Sequence, residues 1–345
     1  MSTAATTTDK PTVLIVGAGL GGLMMGALLQ KSNHQLVPCS AIAVGPTLLP
    51  IFQQLGIYEE FLALGKYLTH IPSFGESNEI LYPKRPTDFR PIEELTGYGQ
   101  YIVARPKLYE LLYKQVPPRK IYLGKRVLNI SEQDDRVTIY TADNKTYEGE
   151  ILVGADGAYS AVRSRMYERL KTKGKLPKGD QEDLPFSYKT TSKAALEQRF
   201  RNNENSEWGA IPAQTMCEET KGFPIPALHG EKGEMGTMGD IYALTPKEFV
   251  SKVMREEKVF ETWYDGRVVL LGDACHKLSP SGGHGAVTAL HDGIALANLL
   301  YAMPTSTSSD ITNIFEEYRK ERYPAVMESY NNSRFVAKVS DRGII

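Results

Sequence analysis

Three short stretches of this chain, each following an apolar run, carry glycines at spacings suited to a tight turn beside a ligand. The first, Gly17-Ala18-Gly19-Leu20-Gly21-Gly22, sets Gly17, Gly19 and Gly22 at the spacing GxGxxG, directly after the apolar run Thr12-Val13-Leu14-Ile15-Val16. Between a strand and a helix, the first glycine permits a tight turn, the second lets the backbone approach a pyrophosphate, and the third allows close helix–strand packing. The following helix then offers its unpaired N–H groups and its positive dipole end to the phosphates. The second stretch is Asp156-Gly157 with Ser160 and Arg163, and the third is Gly272-Asp273 with Pro280, Gly282, Gly283 and Gly285. Each follows an apolar run, at the position where an open α/β sheet binds ligands. A single Asp-Gly is most often a plain turn; three such stretches in this order favour a nucleotide site.

One partner for such a ligand is missing. A dinucleotide fold normally carries an acid about 20 positions beyond the glycines, to bind the adenosine ribose. Here the next carboxylate after Asp9 is Glu59, and Asn33–Pro38 offers only Leu36-Val37 as a second strand. Loss of one charge-assisted hydrogen bond costs about 1.5–3 kcal/mol, roughly 10- to 100-fold in affinity. Other reactive types carry less. Cys275 and His276 are adjacent and face opposite ways on an extended segment, so the cysteine reads as packed rather than nucleophilic. His276, His284 and His291 form no ligand pattern, and no metal is assigned. Among the 19 tyrosines, Tyr98, Tyr101, Tyr242 and Tyr264 can orient a phenol or simply pack, as can Trp208 and Trp263.

The elements that must position these residues read as alternating strands and helices. Strands are expected at 12–16, Val127–Ile130, Val137–Thr141, Glu150–Val153 and Val268–Leu271. Helices are expected at Leu20–Lys31, at 46–66 around a break at Gly56, at Arg105–Gln115 and at Gly285–Met303. A further helix is expected at Thr245–Arg255, with Thr245 as N-cap, and an amphipathic one at Ile311–Val339, broken at Pro324. Residues 67–99 read as loops and short strands, and Lys171–Gly239 shows little periodicity. The class is α/β. The expected organisation is a discontinuous ligand-binding domain over 10–66, 100–186 and 258–310, a smaller domain over 67–99 and 187–257, and C-terminal helices over 311–345.

Composition narrows the partners. With 345 residues, 41% hydrophobic and 23% charged, the chain suits a globular protein with a sizeable core. The 40 basic and 41 acidic residues leave a net charge of -1, so no global field attracts nucleic acid or an anionic membrane. Three cysteines without a CxxC pair suggest neither disulfides nor zinc and fit a reducing, cytoplasmic compartment. Pro11–Gln30 is uncharged and long enough to span a bilayer, but its glycine spacing favours a strand–turn–helix. Met1–Asp9 lacks the basic n-region of a secretory signal.

Together these motifs resemble those of the single-component FAD monooxygenases related to para-hydroxybenzoate hydroxylase, fungal members in particular, over most of residues 11–325. The resemblance implies a Rossmann-like FAD-binding domain of the GR2 type with a smaller, β-rich substrate domain. It implies FAD contacts from Gly17, Gly19, Gly21 and Gly22, and from Arg105 at a helix start. It implies contacts to FAD and NAD(P)H from Asp156, Gly157 and Arg163. It places the ribityl chain on Asp273 of the Gly272-Asp273 motif and the flavin ring against Pro280, Gly283 and Gly285. The implied activity is NAD(P)H-dependent hydroxylation, through a hydroperoxyflavin, of a small aromatic or other electron-rich substrate; no catalytic side chain is assigned. The chain departs from the pattern in two places. A strand with its terminal acid and a following arginine, about a dozen residues, is absent near Asn33–Ser40, and Lys189–Gly239 is too short and polar to supply every strand of the substrate domain. A degenerate or truncated flavoprotein is the alternative. An NAD-dependent dehydrogenase would leave the motifs at Asp156 and Asp273 unexplained.

Overall fold

The computed structural model describes residues 11–29, 41–71, 87–133, 135–182, 210–229, 235–245 and 257–341. Three parallel strands form its centre: Val13–Val16, Ile151–Gly154 and Val268–Leu270, with the short strand Tyr264–Asp265 antiparallel at one edge. Ile151–Gly154 and Val268–Leu270 are wholly buried, as their unbroken apolar runs require. Val13–Val16 is only half-buried, being the edge strand of this sheet among the described residues. The proposed second strand at Leu36-Val37 lies outside the described residues.

Helix Leu20–Leu29 follows the first strand, so the uncharged stretch from Pro11 is a strand, turn and helix. Among the described residues no helix is long and apolar enough to cross a membrane. Helix Leu20–Leu29 packs closely on helix Gly285–Ala302. A Cβ on Gly21 would come within 2.8 Å of Leu271 Cδ1 and 2.9 Å of the Ala289 carbonyl; one on Gly293 would meet Gly21 O at 2.8 Å. Gly21 faces Ala289, while Met25 and Gly21 flank Gly293, so the two helices run side by side in the same direction.

Two apolar cores meet at this helix pair. One joins the sheet to helix Ala161–Thr172, to the three-stranded meander Val127–Glu132, Val137–Thr141 and Thr146–Gly149, and to the C-terminal helix. The other lies between Leu20–Leu29, Arg105–Tyr113, the short helices Leu49–Gln54 and Tyr58–Leu64, and a three-stranded antiparallel sheet in which Gln100–Ala104 pairs with Ala41–Val44 and Lys66–Leu68. Leu48, Leu49, Phe52 and Phe61 are fully buried, and Gly56 breaks the helix with φ +71°.

Several expectations need correction. The C-terminal helix Ser308–Asp341 runs through Pro324. Burial of Ile311, Phe315, Tyr318 and Val326 against the sheet outweighs the hydrogen bond that proline removes. Thr245 is the C-cap of helix Met238–Leu244, and the helix expected at Thr245–Arg255 lies outside the described residues beyond Thr245. The polar stretch before it contains helix Ala210–Thr220 and an antiparallel pair, Pro224–His229 with Met235–Thr237. Residues 90–96 form a helix within a segment read as loops and strands.

Candidate functional site at the carboxyl ends of the parallel strands

The three glycine stretches emerge side by side, each where a parallel strand ends: after Val16, Gly154 and Leu270. Gly17 has φ +109°, and a Cβ there would collide with the Ala155 carbonyl. A Cβ on Gly22 would strike the Gly17 carbonyl. These two glycines are demanded by the turn itself. Gly19 is different: the nearest atom to its Cβ would be Ala155 O, at 3.9 Å. Gly285, the first residue of its helix, would meet nothing within 4 Å. Neither has a positive φ. At both helix starts glycine leaves open space beside backbone N–H groups that a ligand could approach. Because the two helices run the same way, their positive ends face the same side.

Asp156 spends its carboxylate locally. It accepts from Ser160 Oγ at 2.5 Å and from the Ala161 and Val162 N–H groups at 2.7 and 3.2 Å, so it caps helix Ala161–Thr172 together with Ser160. Gly157 follows with φ +84°. Arg163, read as a cofactor contact, points inward. Its guanidinium donates to the carbonyls of Ala274 at 2.7 Å and Ala158 at 2.6 Å and lies over the Phe260 ring. Gly21 is likewise turned into the helix crossing rather than toward open space.

The turn Gly272–Ala274 presents a single polar side chain. Gly272, Ala274 and Cys275 are buried, while the Asp273 side chain is 34% exposed and pairs with Lys277 Nζ at 2.9 Å. A second turn, Pro280–Gly282, ends at Gly283 with φ +67° and leads into the Gly285 helix. Arg105 opens its helix, exposed and without a partner among the described residues.

Asp292 is the residue that sequence reasoning missed. Its buried carboxylate accepts the Gly272 N–H at 3.1 Å, faces His276 Nε2 at 2.5 Å and accepts Arg322 Nε at 2.8 Å. Burial pushes its pKa up, but His276 and Arg322 outweigh that and hold it below the ordinary carboxylate value. The signal was present, since Asp292 is the one acid in an 18-residue helix rich in Ala and Leu. Cys275 is packed, and burial raises its thiol well above the usual range. Trp263 is buried, its indole N–H on Phe260 O at 2.8 Å. Tyr98 donates to Gln53 and Tyr242 meets Thr220 Oγ1, while Tyr101 and Tyr264 pack on Phe61 and Phe315. Trp208 lies outside the described residues. A cavity of about 520 Å³ adjoins Gly17 and Asp156 and is lined by Lys125, Arg126, Tyr159 and Arg165 among others.

Comparison with known proteins accords with this geometry. The FAD binding domain family matches residues 10–220 and 237–333. FAD-dependent monooxygenase paxM of Penicillium paxilli is 30% identical over 400 aligned positions, covering 96% of this chain and 80% of that protein. FAD-dependent monooxygenase ausM of Penicillium brasilianum is 28% identical, covering 97% and 80%. The paxM span exceeds the 345 residues here, so that relative has at least 55 positions without a counterpart. Among solved structures, HpxO of Klebsiella pneumoniae complexed with FAD and uric acid superposes with TM-score 0.67 at 20% identity, covering 95% of this chain and 88% of that one. 2,6-Dihydroxypyridine-3-hydroxylase from Arthrobacter nicotinovorans gives TM-score 0.63 at 13% identity, covering 96% and 93%. These two share the fold. By the family match and the identity to paxM, this chain belongs to the FAD binding domain family and is an oxidoreductase of its FAD-dependent monooxygenases.

Proposed function

We propose that this enzyme uses NAD(P)H and O2 to hydroxylate a small, electron-rich aromatic substrate. The observation that carries the reading is the pair of parallel helices whose starts, at Gly19 and Gly285, are bare of side chains and flank the Asp273 turn. Gly17, Gly19 and Gly22 would hold the pyrophosphate of FAD against N–H groups of the first helix. Asp273 would accept hydrogen bonds from the ribityl hydroxyls, and Arg105 supplies a free guanidinium for a further polar contact. Backbone N–H groups near Gly283–Gly285, with the positive end of their helix, would favour negative charge on the ring. Pro280 would limit the turn's freedom beside it.

When bound, FAD supplies the redox chemistry, passing two electrons from NAD(P)H to O2 so that one oxygen atom enters the substrate and the other leaves as water. The chain's part is to orient the substrate and exclude water. The described elements between Ala210 and Thr245, together with those between Lys66 and Thr96, are the candidates for that role. Free thiols at Cys217 and Cys275 fit the reducing cytoplasm proposed from composition.

The test is direct. Purified protein incubated with FAD and desalted should keep its visible flavin bands, and should then oxidise NADH or NADPH with matching O2 uptake on some member of a phenol panel. Retained flavin without substrate-dependent oxidation would overturn the hydroxylase reading and favour a degenerate flavoprotein, as the shortened span of the chain would allow.

A further inference from the structure

Helix Gly285–Ala302 contributes one fully buried carboxylate, Asp292, and three segments converge on it. Gly272, which opens the Asp273 turn, donates its N–H to Oδ2 at 3.1 Å. His276, which follows that turn, sets Nε2 at 2.5 Å from the same oxygen. Arg322, on the C-terminal helix, donates Nε to Oδ1 at 2.8 Å. Both ends of the turn are therefore pinned to a single oxygen on the helix that begins at Gly285. Within the turn, Cys275 N–H bonds Gly272 O at 2.9 Å, and Arg163 holds Ala274 O from the other side.

This arrangement is a poor stability device. Buried ion pairs gain little over apolar residues of similar volume, and His276 leaves Nδ1 buried without a hydrogen-bond partner. What the arrangement does secure is geometry: Asp273 is the only member of its turn left partly exposed, and Gly272 and His276 on either side of it are both held to the Gly285–Ala302 helix through Asp292.

We propose that Asp292 is a positioning residue for FAD, acting through Gly272 and His276 to hold the Asp273 carboxylate in register with the start of the Gly285 helix, while Arg322 balances its charge. The proposal rests on the reading that Asp273 and Gly285 flank bound FAD.

The test is a double-mutant cycle on FAD affinity, read by flavin fluorescence on titrating the apoprotein, beside the thermal midpoint of that apoprotein. Asp292→Asn should weaken FAD binding by about tenfold or more, the loss of one or more well-placed hydrogen bonds. In an Asp273→Asn background the same substitution should cost little further affinity, because its effect passes through Asp273. Asp292→Glu, which keeps the charge, should recover part of the loss. A residue that only stabilises the fold would lower the midpoint and leave the two affinity losses additive. If Asp292→Asn does not fold, His276→Leu replaces it in the cycle, since leucine removes the Nε2 contact and leaves the Asp292–Arg322 pair intact. Additive losses in a wild-type background that binds FAD overturn the proposal alone; wild-type protein that binds no FAD overturns the reading beneath it as well.

Discussion

Arg163 and Ala274 stand 111 residues apart, and the guanidinium of the first donates to the carbonyl of the second at 2.7 Å. That bond ties the Asp156-Gly157 loop to the Gly272-Asp273 turn, because the same guanidinium also holds Ala158 O at 2.6 Å. Two motifs that look like separate ligand contacts in the sequence are thus joined beneath the site by a buried cation.

Arg163→Met should therefore cost both stability and cofactor. Removing the guanidinium leaves the buried Ala274 carbonyl unpaired, at about 1–3 kcal/mol, and leaves the part-buried Ala158 carbonyl to water. Chemical denaturation of the apoprotein should show a loss of roughly that size, accompanied by weaker FAD binding. An unchanged denaturation midpoint would mean that the clamp is not holding the two loops.

The glycines should separate into two classes. Gly22→Ala forces a Cβ into the Gly17 carbonyl and should destabilise the apoprotein by about 2 kcal/mol or more. Gly19→Ala has room for its Cβ within the protein and should leave the thermal midpoint close to wild type, yet weaken FAD binding at least about tenfold by filling the open space. Equal effects of the two on stability would refute the distinction.

Asp273→Asn should act on ligand rather than fold. Its pair with Lys277 is partly exposed and contributes at most about 1 kcal/mol. Its hydrogen bonds to a ribityl chain would be charge-assisted, so FAD affinity should fall roughly 10- to 100-fold. Titration of the apoprotein with FAD decides this, and an affinity equal to wild type would remove Asp273 from the site.

His291 predicts an acid-side dependence of stability. Burial, and then Arg322, lower its pKa below the ordinary 6.5, while its bond to the Thr47 carbonyl opposes them in part. The folded state thus binds this proton less readily than the unfolded chain. Its contribution is complete above about pH 6.5 and is lost as the pH falls below that value. In His291→Gln the decline in stability between about pH 7 and pH 5 should be shallower, as measured by urea unfolding across that range.

Much of the frame was legible in the residues alone. The runs Val13–Val16, Ile151–Val153 and Val268–Leu270 announce parallel strands because a strand covered on both faces has no polar positions, although the first is half-buried at the sheet edge among the described residues. The glycines after them mark turns because the backbone there adopts a positive φ at Gly17, Gly157 and Gly272. Helix boundaries at Leu20, Arg105 and Gly285 also follow from local pattern. The continuity of the last helix through Pro324 did not, since the penalty at a proline is local and the packing that offsets it comes from the sheet.

The sequence by itself determined the order of strands, glycine turns and helices, and with it the family. Only the tertiary structure decided which glycines serve packing and which leave space for a ligand, because Gly19 and Gly21 differ solely in what stands opposite them. It also turned Arg163 inward and brought Asp292 beneath Gly272. Local pattern reports whether a segment is buried, whereas the partners of a buried charge come from distant segments whose approach is set by helix crossing and sheet register.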